Sequence, residues 1–253
     1  MAQEIIVGIH SIVEALNNPE RSGHKLFTTK ENKGELTKKI NLNNISGLDV
    51  SEHKPHDIQE EAKKLYKEMD FHFSRVPANT FLLTERLELK NLTFLYNLID
   101  SKEDFKMLIL DQITDVHNLG AIMRSASFYG IDAVLLSRKG DILRTPTFHR
   151  ISSGAYEHVP LINCGSLPKT INKLKEKNIL MQGFSEHSED TNFSKTNKMA
   201  LVLGAEDVGL SNAITRILDK TIKLEPRGNI QSLNVSVAAA IAMEKMISNN
   251  ASS

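Results

Sequence analysis

The stretch MLILDQITDVHNLGAIMRSASFY, residues 107–129, decides the fold class. It begins with four apolar residues, continues through a mostly polar segment and ends with apolar residues at helical spacing, so it predicts a strand, a loop and a helix. The same order recurs towards the C-terminus, with further strands predicted at 133–136, 159–162, 179–181, 201–203 and 222–224 and helices at 167–177 and 235–247. Apolar strands alternating with helices are typical of an α/β fold with a mostly parallel sheet.

The first 84 residues carry shorter signals of a small, separate α/β domain. Helices are predicted there at 8–17, 35–42 and 55–69, and strands at 25–28, 48–50 and 80–84. We interpret residues 85–104 as a linker that contains one helix, and residues 105–253 as the second domain.

The composition is that of an ordinary globular protein, with 31 Lys and Arg balanced by 31 Asp and Glu. A net charge of zero argues against a protein that coats nucleic acid through charge alone.

The single cysteine, Cys164, excludes an internal disulfide and favours a reducing compartment. The first residues carry no basic leader, and no stretch approaches the ~18 apolar residues of a membrane span. We therefore expect a cytoplasmic protein that does not associate with a membrane. The scattered histidines predict no metal site.

Two loops that follow predicted strands carry candidate functional residues. Asn118 is of a type that caps helices, and Arg124 lies about 9 Å further along the helix axis among small and apolar residues. A guanidinium in such surroundings suits a phosphate or a carboxylate. After strand 201–203, Gly204 allows a tight backbone beside a ligand and Glu206 supplies an acceptor. Ligands bind beyond the carboxyl ends of parallel strands, which is where both loops begin.

A third segment, SLNVS at 232–236, combines helix-capping residues with the row of alanines that follows. Small side chains allow a flat ligand to approach the helix closely, and a close-packed helix pair or a subunit contact is the alternative. The chain contains neither G-x-G-x-x-G nor G-x-x-x-x-G-K-[ST], so the usual dinucleotide and P-loop sites have no support.

A basic cluster lies between the first two motifs. Four cations, Arg138, Lys139, Arg144 and Arg150, fall within thirteen positions that contain one acid. A solvated loop and a phosphate-facing loop both explain this pattern.

The three motifs NLGAIxR, LGAExxGL and SLNVSxA, in this order, resemble those of the SpoU family of RNA 2′-O-ribose methyltransferases in the SPOUT superfamily. Residues 152–160 and 7–16 are similar to segments of the members that act on guanosine in ribosomal RNA. The resemblance implies methylation of a ribose 2′-oxygen in RNA, with 23S-type ribosomal RNA as the first choice and S-adenosylmethionine as cofactor. A tRNA substrate and a non-catalytic RNA-binding assembly factor are the alternatives.

The resemblance also implies a C-terminal trefoil knot, an RNA-binding domain at 1–84 and a homodimer. It assigns cofactor binding to Leu203, Gly204, Leu224, Leu233 and Ala238, and catalysis to Asn118, Arg124, Glu206, Ser232 and Asn234. Because a guanidinium keeps its proton in proteins, we expect Arg124 to hold a phosphate and stabilise negative charge rather than act as a base. The chain reads LEPR at 224–227 where relatives usually read Ile-Pro-Met, and Arg227 is a further candidate RNA contact.

Overall fold

The computed structural model describes residues 2–137, 145–230 and 232–248. The chain forms two compact units, one of residues 1–88 with 141–157 and the other of residues 89–140 with 158–253. We call them the N-terminal unit and the parallel-sheet unit.

The strands and helices are numbered in chain order. The strands are β1 Gln3–Val7, β2 Lys25–Thr28, β3 Asp49–Glu52, β4 Phe81–Glu85, β5 Phe105–Leu110, β6 Ala133–Leu136, β7 Leu161–Asn163, β8 Leu180–Phe184, β9 Lys198–Leu203 and β10 Lys220–Ile222. The helices are α1 Ile9–Asn17, α2 Lys30–Thr37, α3 Pro55–Glu68, α4 Leu92–Asp100, α5 Val116–Phe128, α6 Pro146–Ser152, α7 Leu167–Glu176, α8 Asn212–Thr215 and α9 Val235–Ile247.

The N-terminal unit is built on a four-stranded sheet in the order β1–β4–β2–β3. Strands β1 and β2 run antiparallel to β4, and β3 runs parallel to β2. Because side chains alternate across a strand, Ile6 packs in one cluster with residues of α1, whereas Val7 packs in a second cluster with residues of α3. The sheet is therefore covered on both faces by apolar side chains.

A buried ionic cluster joins residues 145–157 to the rest of the N-terminal unit. The guanidinium of Arg21 donates from Nε and Nη2 to the two carboxylate oxygens of Glu157, at 2.7 and 2.8 Å, and from Nη1 to Glu4. The second oxygen of Glu4 lies 3.5 Å from Nε2 of His149, and both side chains are buried. The assignment of residues 145–157 to the second domain was wrong, because these ion pairs are internal to the N-terminal unit.

The parallel-sheet unit contains six strands in the order β10–β8–β9–β5–β6–β7, and every neighbouring pair is parallel. All six residues of β5 are buried. On one face, Met107 and Ile109 pack in a cluster with residues of α4 and α7. Helix α5 packs against α9, which also contacts β9.

The predicted linker at 85–104 is wrong in one respect, since its helix is part of a core. Leu95 and Ile99 of α4 are completely buried in the same cluster as Phe105, so the helix belongs to the core of the parallel-sheet unit. The boundary between the units lies at residue 88.

The mostly parallel α/β sheet predicted from the sequence is confirmed. The predicted strand 133–136 and helix 235–247 coincide with β6 and α9. The structure adds β1 and α6, which the sequence analysis did not predict, and α2 begins five residues before the predicted helix 35–42. No helix in the described part of the chain is long and apolar enough to cross a membrane.

The ion pairs of Glu4 make the stability of the folded chain sensitive to acid. Burial raises the pKa of Glu4, but the facing His149 and Arg21 outweigh it and lower the pKa from 4.5 to about 2. Because the carboxyl binds its proton more weakly in the folded chain, its contribution to stability is present above about pH 4.5 and is lost as the pH falls towards about 2.

We therefore expect Glu4→Gln to be less stable than the wild type at neutral pH, and the difference to shrink in acid. Thermal unfolding followed by circular dichroism at a series of pH values measures this difference. Glu60→Gln, at an exposed position on α3, is the matched control. Its difference in stability from the wild type should not shrink in acid. A stability gap for Glu4→Gln that stays constant down to about pH 3 would contradict the prediction.

Candidate active site

Strands β5 and β9 end side by side, which brings two of the three motifs to one edge of the sheet. Leu110 pairs with Leu203 in the parallel register. The next residue, Asp111, donates its backbone N–H to the carbonyl of Leu203 at 2.8 Å, and its carboxylate accepts from the N–H of Ser211 at 2.8 Å. Asp111 is buried and ties the loop after β5 to the far end of the loop after β9. This role of Asp111 was not predicted from the sequence, although an Asp directly after a buried strand was the available signal.

Helix α5 is capped by Asp115 and not by Asn118. The Asp115 side chain accepts a hydrogen bond from the N–H of Asn118 at 2.8 Å, as an N-cap residue does. The helix therefore begins earlier than predicted, and the Asn118 side chain is free of the capping role expected for it.

Asn234 connects all three motifs. It caps α9, since its Oδ1 accepts from the N–H of Ser236 at 2.9 Å and from its hydroxyl at 2.6 Å. Its Nδ2 donates to Oδ1 of Asn118 at 2.9 Å and to Oε2 of Glu206 at 3.0 Å. One amide group thus satisfies a helix end and joins two polar side chains from distant parts of the chain. We call Asn118, Glu206 and Asn234 the amide–carboxylate cluster.

The other two predicted catalytic residues lie apart from this cluster. Arg124 is exposed and makes no hydrogen bond or ion pair with the described residues. It follows Asn118 by six residues, which places it about 240° further around α5. Ser232 is also exposed, and its side chain has no hydrogen-bond partner in the described part of the chain. A single copy of the chain therefore brings together three of the five predicted catalytic residues.

Gly204 is required by the path of the backbone. A Cβ atom at this position would lie 2.1 Å from the carbonyl carbon of Gly209 and 2.3 Å from the backbone nitrogen of Leu210. The intervening turn is closed by a hydrogen bond of 2.8 Å from the N–H of Gly209 to the carbonyl of Ala205. The glycine permits this close approach, which also sets the position of Glu206 in the turn.

The predicted cofactor residues occupy different environments. Leu224 and Leu233 line an open cavity of about 380 Å³ together with Ile241. Leu203 is buried at the end of β9, and Ala238 lies half-buried one turn into α9. The cavity therefore brings together two of the five predicted cofactor residues.

The predicted basic cluster is only partly described. Arg150 is exposed on α6 in the N-terminal unit, whereas Arg138, Lys139 and Arg144 lie outside the described residues. Among the described residues, no group of His, Cys, Asp or Glu is arranged to hold a metal ion.

Residues 106–244 match the SpoU rRNA Methylase family. The chain belongs to this family. The resemblance predicted from the three motifs is thereby confirmed, and the matched residues include every member of the amide–carboxylate cluster.

Two relatives are both named 23S rRNA (guanosine-2′-O-)-methyltransferase RlmB. The protein from Yersinia pestis is 36% identical over 152 residues, which cover 59% of this chain and 62% of the relative. The protein from Escherichia coli K12 is 37% identical over 149 residues, covering 58% and 61%. The match thus spans about three-fifths of the length of these relatives.

The fold is shared with solved SpoU-family structures. The SpoU methyltransferase AviRb from Streptomyces viridochromogenes, solved in complex with AdoMet, superposes with a TM-score of 0.73 at 20% identity. The superposition covers 96% of this chain and 88% of AviRb, so it includes the folds of both units.

We expect Gly204→Ala to destabilise the parallel-sheet unit, because the added methyl group would overlap backbone atoms of Gly209 and Leu210 and force the turn to shift. Gly165→Ala is the matched control, since a Cβ there meets nothing within 4 Å. Urea unfolding followed by circular dichroism should show a loss of at least about 2 kcal/mol for Gly204→Ala and little change for Gly165→Ala. Equal stabilities of the two variants would contradict this account of Gly204.

Proposed function

We propose that this chain transfers a methyl group from S-adenosylmethionine to a ribose 2′-oxygen of RNA, with a guanosine of 23S-type ribosomal RNA as the target. The observation that carries the proposal is the amide–carboxylate cluster, in which the Asn234 amide donates to Asn118 and Glu206. The names of the RlmB relatives supply the choice of substrate. Because ribosomal RNA is the substrate, we place the reaction in the cytoplasm.

The cavity beside the cluster suits the proposed cofactor. Its volume of about 380 Å³ lies within the range of small-molecule sites, and its wall includes Leu224 and the half-exposed Leu233. Such apolar walls fit the flat face of an adenine. When bound, S-adenosylmethionine supplies a methyl group on a sulfonium, which is electrophilic enough to react without a metal. Leu233 directly precedes Asn234, so this wall is continuous with the cluster.

The chain's own residues then have to orient the ribose 2′-hydroxyl, which is a weak nucleophile. Glu206 is exposed on its turn, and its carboxylate can accept a hydrogen bond from a ribose hydroxyl. Asn234 donates to that carboxylate and is itself anchored on Asn118, which limits the reorganisation needed during the reaction. Arg124 stays protonated, and its charge stabilises the phosphate next to the reacting ribose and the oxygen that loses its proton.

The proposal includes a trefoil knot in the parallel-sheet unit. It is supported by the chain's membership of the SpoU family, which the resemblance associates with this knot. The N-terminal unit would bind RNA and select the target.

The proposal also includes a homodimer that covers the exposed side of α5. Phe128 is 82% exposed and lies one helical turn from Arg124 on this side. Burying Phe128 in a second copy removes a large apolar side chain from water. It also brings Arg124, which its own chain leaves apart from the cluster, to the boundary between two copies.

The proposed activity is tested by measuring transfer of labelled methyl from S-adenosylmethionine to ribosomal RNA by the purified protein. The 2′-O-methyl positions in the product are then mapped. We expect Arg124→Ala to lower methyl transfer by about 100-fold or more while leaving cofactor affinity nearly unchanged, because the guanidinium acts on the RNA. Titration calorimetry measures the affinity. Loss of cofactor binding in Arg124→Ala would overturn its assignment, and cofactor binding by the wild type without transfer to ribosomal RNA or tRNA would favour the non-catalytic alternative.

An active site built from two copies of the chain predicts complementation between two inactive variants. If Arg124 of one copy serves the amide–carboxylate cluster of the other, mixing Arg124→Ala with Asn234→Ala regenerates one intact site in each mixed dimer. We expect activity to rise to roughly a quarter of the wild-type level after subunit exchange, as half of the dimers are mixed and each holds one intact site. Phe128→Glu in both chains, which should abolish dimerisation in analytical ultracentrifugation, is the control. Activity that stays at the level of the single variants would show that each copy works alone.

A further inference from the structure

One residue at the carboxyl edge of the parallel sheet has a backbone conformation that its side chain disfavours. Gln112 has a φ of +60°, which lies in the left-handed region. There the Cβ atom crowds the backbone, so residues other than Gly, Asn and Asp rarely adopt it. A long side chain at such a position raises the free energy of the folded chain unless a contact offsets the strain.

The other described non-glycine residues with a positive φ have local explanations. Three of them lie at the ends of helices, where a left-handed residue commonly terminates the helix: Asp70, Ser153 and Asn178. Ala78 and Asn79 form the turn before β4, and the Gln59 amide donates to Oδ1 of Asn79 at 2.7 Å. This turn is therefore held by contacts within the chain.

Gln112 has neither explanation. It ends no helix, since it lies in the loop between β5 and α5. Its side chain is exposed and makes no hydrogen bond with any residue that the structure describes. A neutral amide forms no ion pair either, so nothing in the described chain offsets the strained backbone. A strained residue without such a contact points to a role in function.

The position of Gln112 ties it to the candidate active site. Asp111, the residue before it, accepts a hydrogen bond from the N–H of Ser211 and thereby holds the loop that carries Glu206. The same loop exposes an apolar side chain, since Val208 is 62% exposed. Val208 precedes Ser211 by three residues, so its Cα lies within about 11 Å of that tied end.

An exposed amide and an exposed apolar side chain on two joined loops are complementary to an unpaired RNA base. The edge of a base carries hydrogen-bond donors and acceptors that match a primary amide, and its face is flat and apolar. Resting on the function proposed above, we propose that Gln112 and Val208 bind a base at the methylation site, with Gln112 on its edge and Val208 on its face. Gln112 is then a specificity-determining residue.

The test uses four variants of the full-length chain. Gln112→Gly removes the amide and relieves the backbone, whereas Gln112→Ala removes the amide and keeps the strain. Val208→Ser removes the apolar contact. Asn178→Gly, at the left-handed position after α7, is the control. Affinity for ribosomal RNA from cells that lack this protein is measured by filter binding at a series of salt concentrations. Thermal unfolding, cofactor affinity and methyl transfer are measured on the same preparations.

We expect Gln112→Gly to unfold about 2 °C higher than the wild type and yet to bind ribosomal RNA about 10-fold more weakly. Because a base contact involves no phosphate, the slope of log affinity against log salt should stay the same. Gln112→Ala should lose the same affinity without the gain in stability, and Val208→Ser should also bind more weakly. Asn178→Gly should keep the wild-type affinity, and cofactor affinity should be unchanged throughout.

Wild-type RNA affinity in either Gln112→Gly or Val208→Ser would overturn the proposal. The same holds for a weaker binding that comes with a changed salt slope or a lost cofactor affinity, and for a Gln112→Gly variant no more stable than Gln112→Ala. The two hypotheses fail differently. A wild type that binds ribosomal RNA without transferring a methyl group refutes the proposed function, whereas the RNA affinities of the variants decide the base contact.

Discussion

The parallel register of β5 on β9 is the constraint on which the site depends. Because Leu110 and Leu203 are paired, both strands end at the same level and their loops leave from one edge of the sheet. Asp111 fixes this arrangement by bonding backbone groups on both sides of the second loop. With the loops held there, Asn118 and Glu206 come within reach of one amide group, although they are far apart in the sequence. A slip of this register would separate them.

The sequence was informative where apolar pattern and capping chemistry agree. Strand β6 and helix α9 were predicted to the residue, because an apolar run bounded by polar residues, or a capping Asn before a helical pattern, has one simple interpretation. Strand β1 was not predicted, because its three apolar residues, 5–7, are too few to show a period. Helix α4 was taken for linker because an amphipathic helix does not reveal which core will cover it.

The site was only partly predictable for a related reason. Residue types at motif positions identified Asn118, Glu206 and Asn234, and the hydrogen bonds join all three. Because the N-cap of α5 is Asp115 rather than Asn118, both Asn118 and Arg124 lie within the helix, and their six-residue spacing puts them on different sides of it. Long-range pairings such as Arg21 with Glu157 leave no local signal, because each partner alone is an ordinary charged residue.

Asn234 couples the folding of the last helix to the assembly of the site. Its Oδ1 satisfies the first turn of α9 while its Nδ2 holds Asn118 and Glu206, so the same rotamer serves both tasks. An aspartate would keep the capping oxygen but lose the donor and place a second carboxylate against Glu206. A serine would cap the helix with a shorter side chain that does not reach both partners. Among capping residues, asparagine alone carries a carbonyl oxygen for the helix and a separate NH₂ group whose two donors serve Asn118 and Glu206. The polar cluster therefore forms only when α9 has begun at residue 235 and packed against α5.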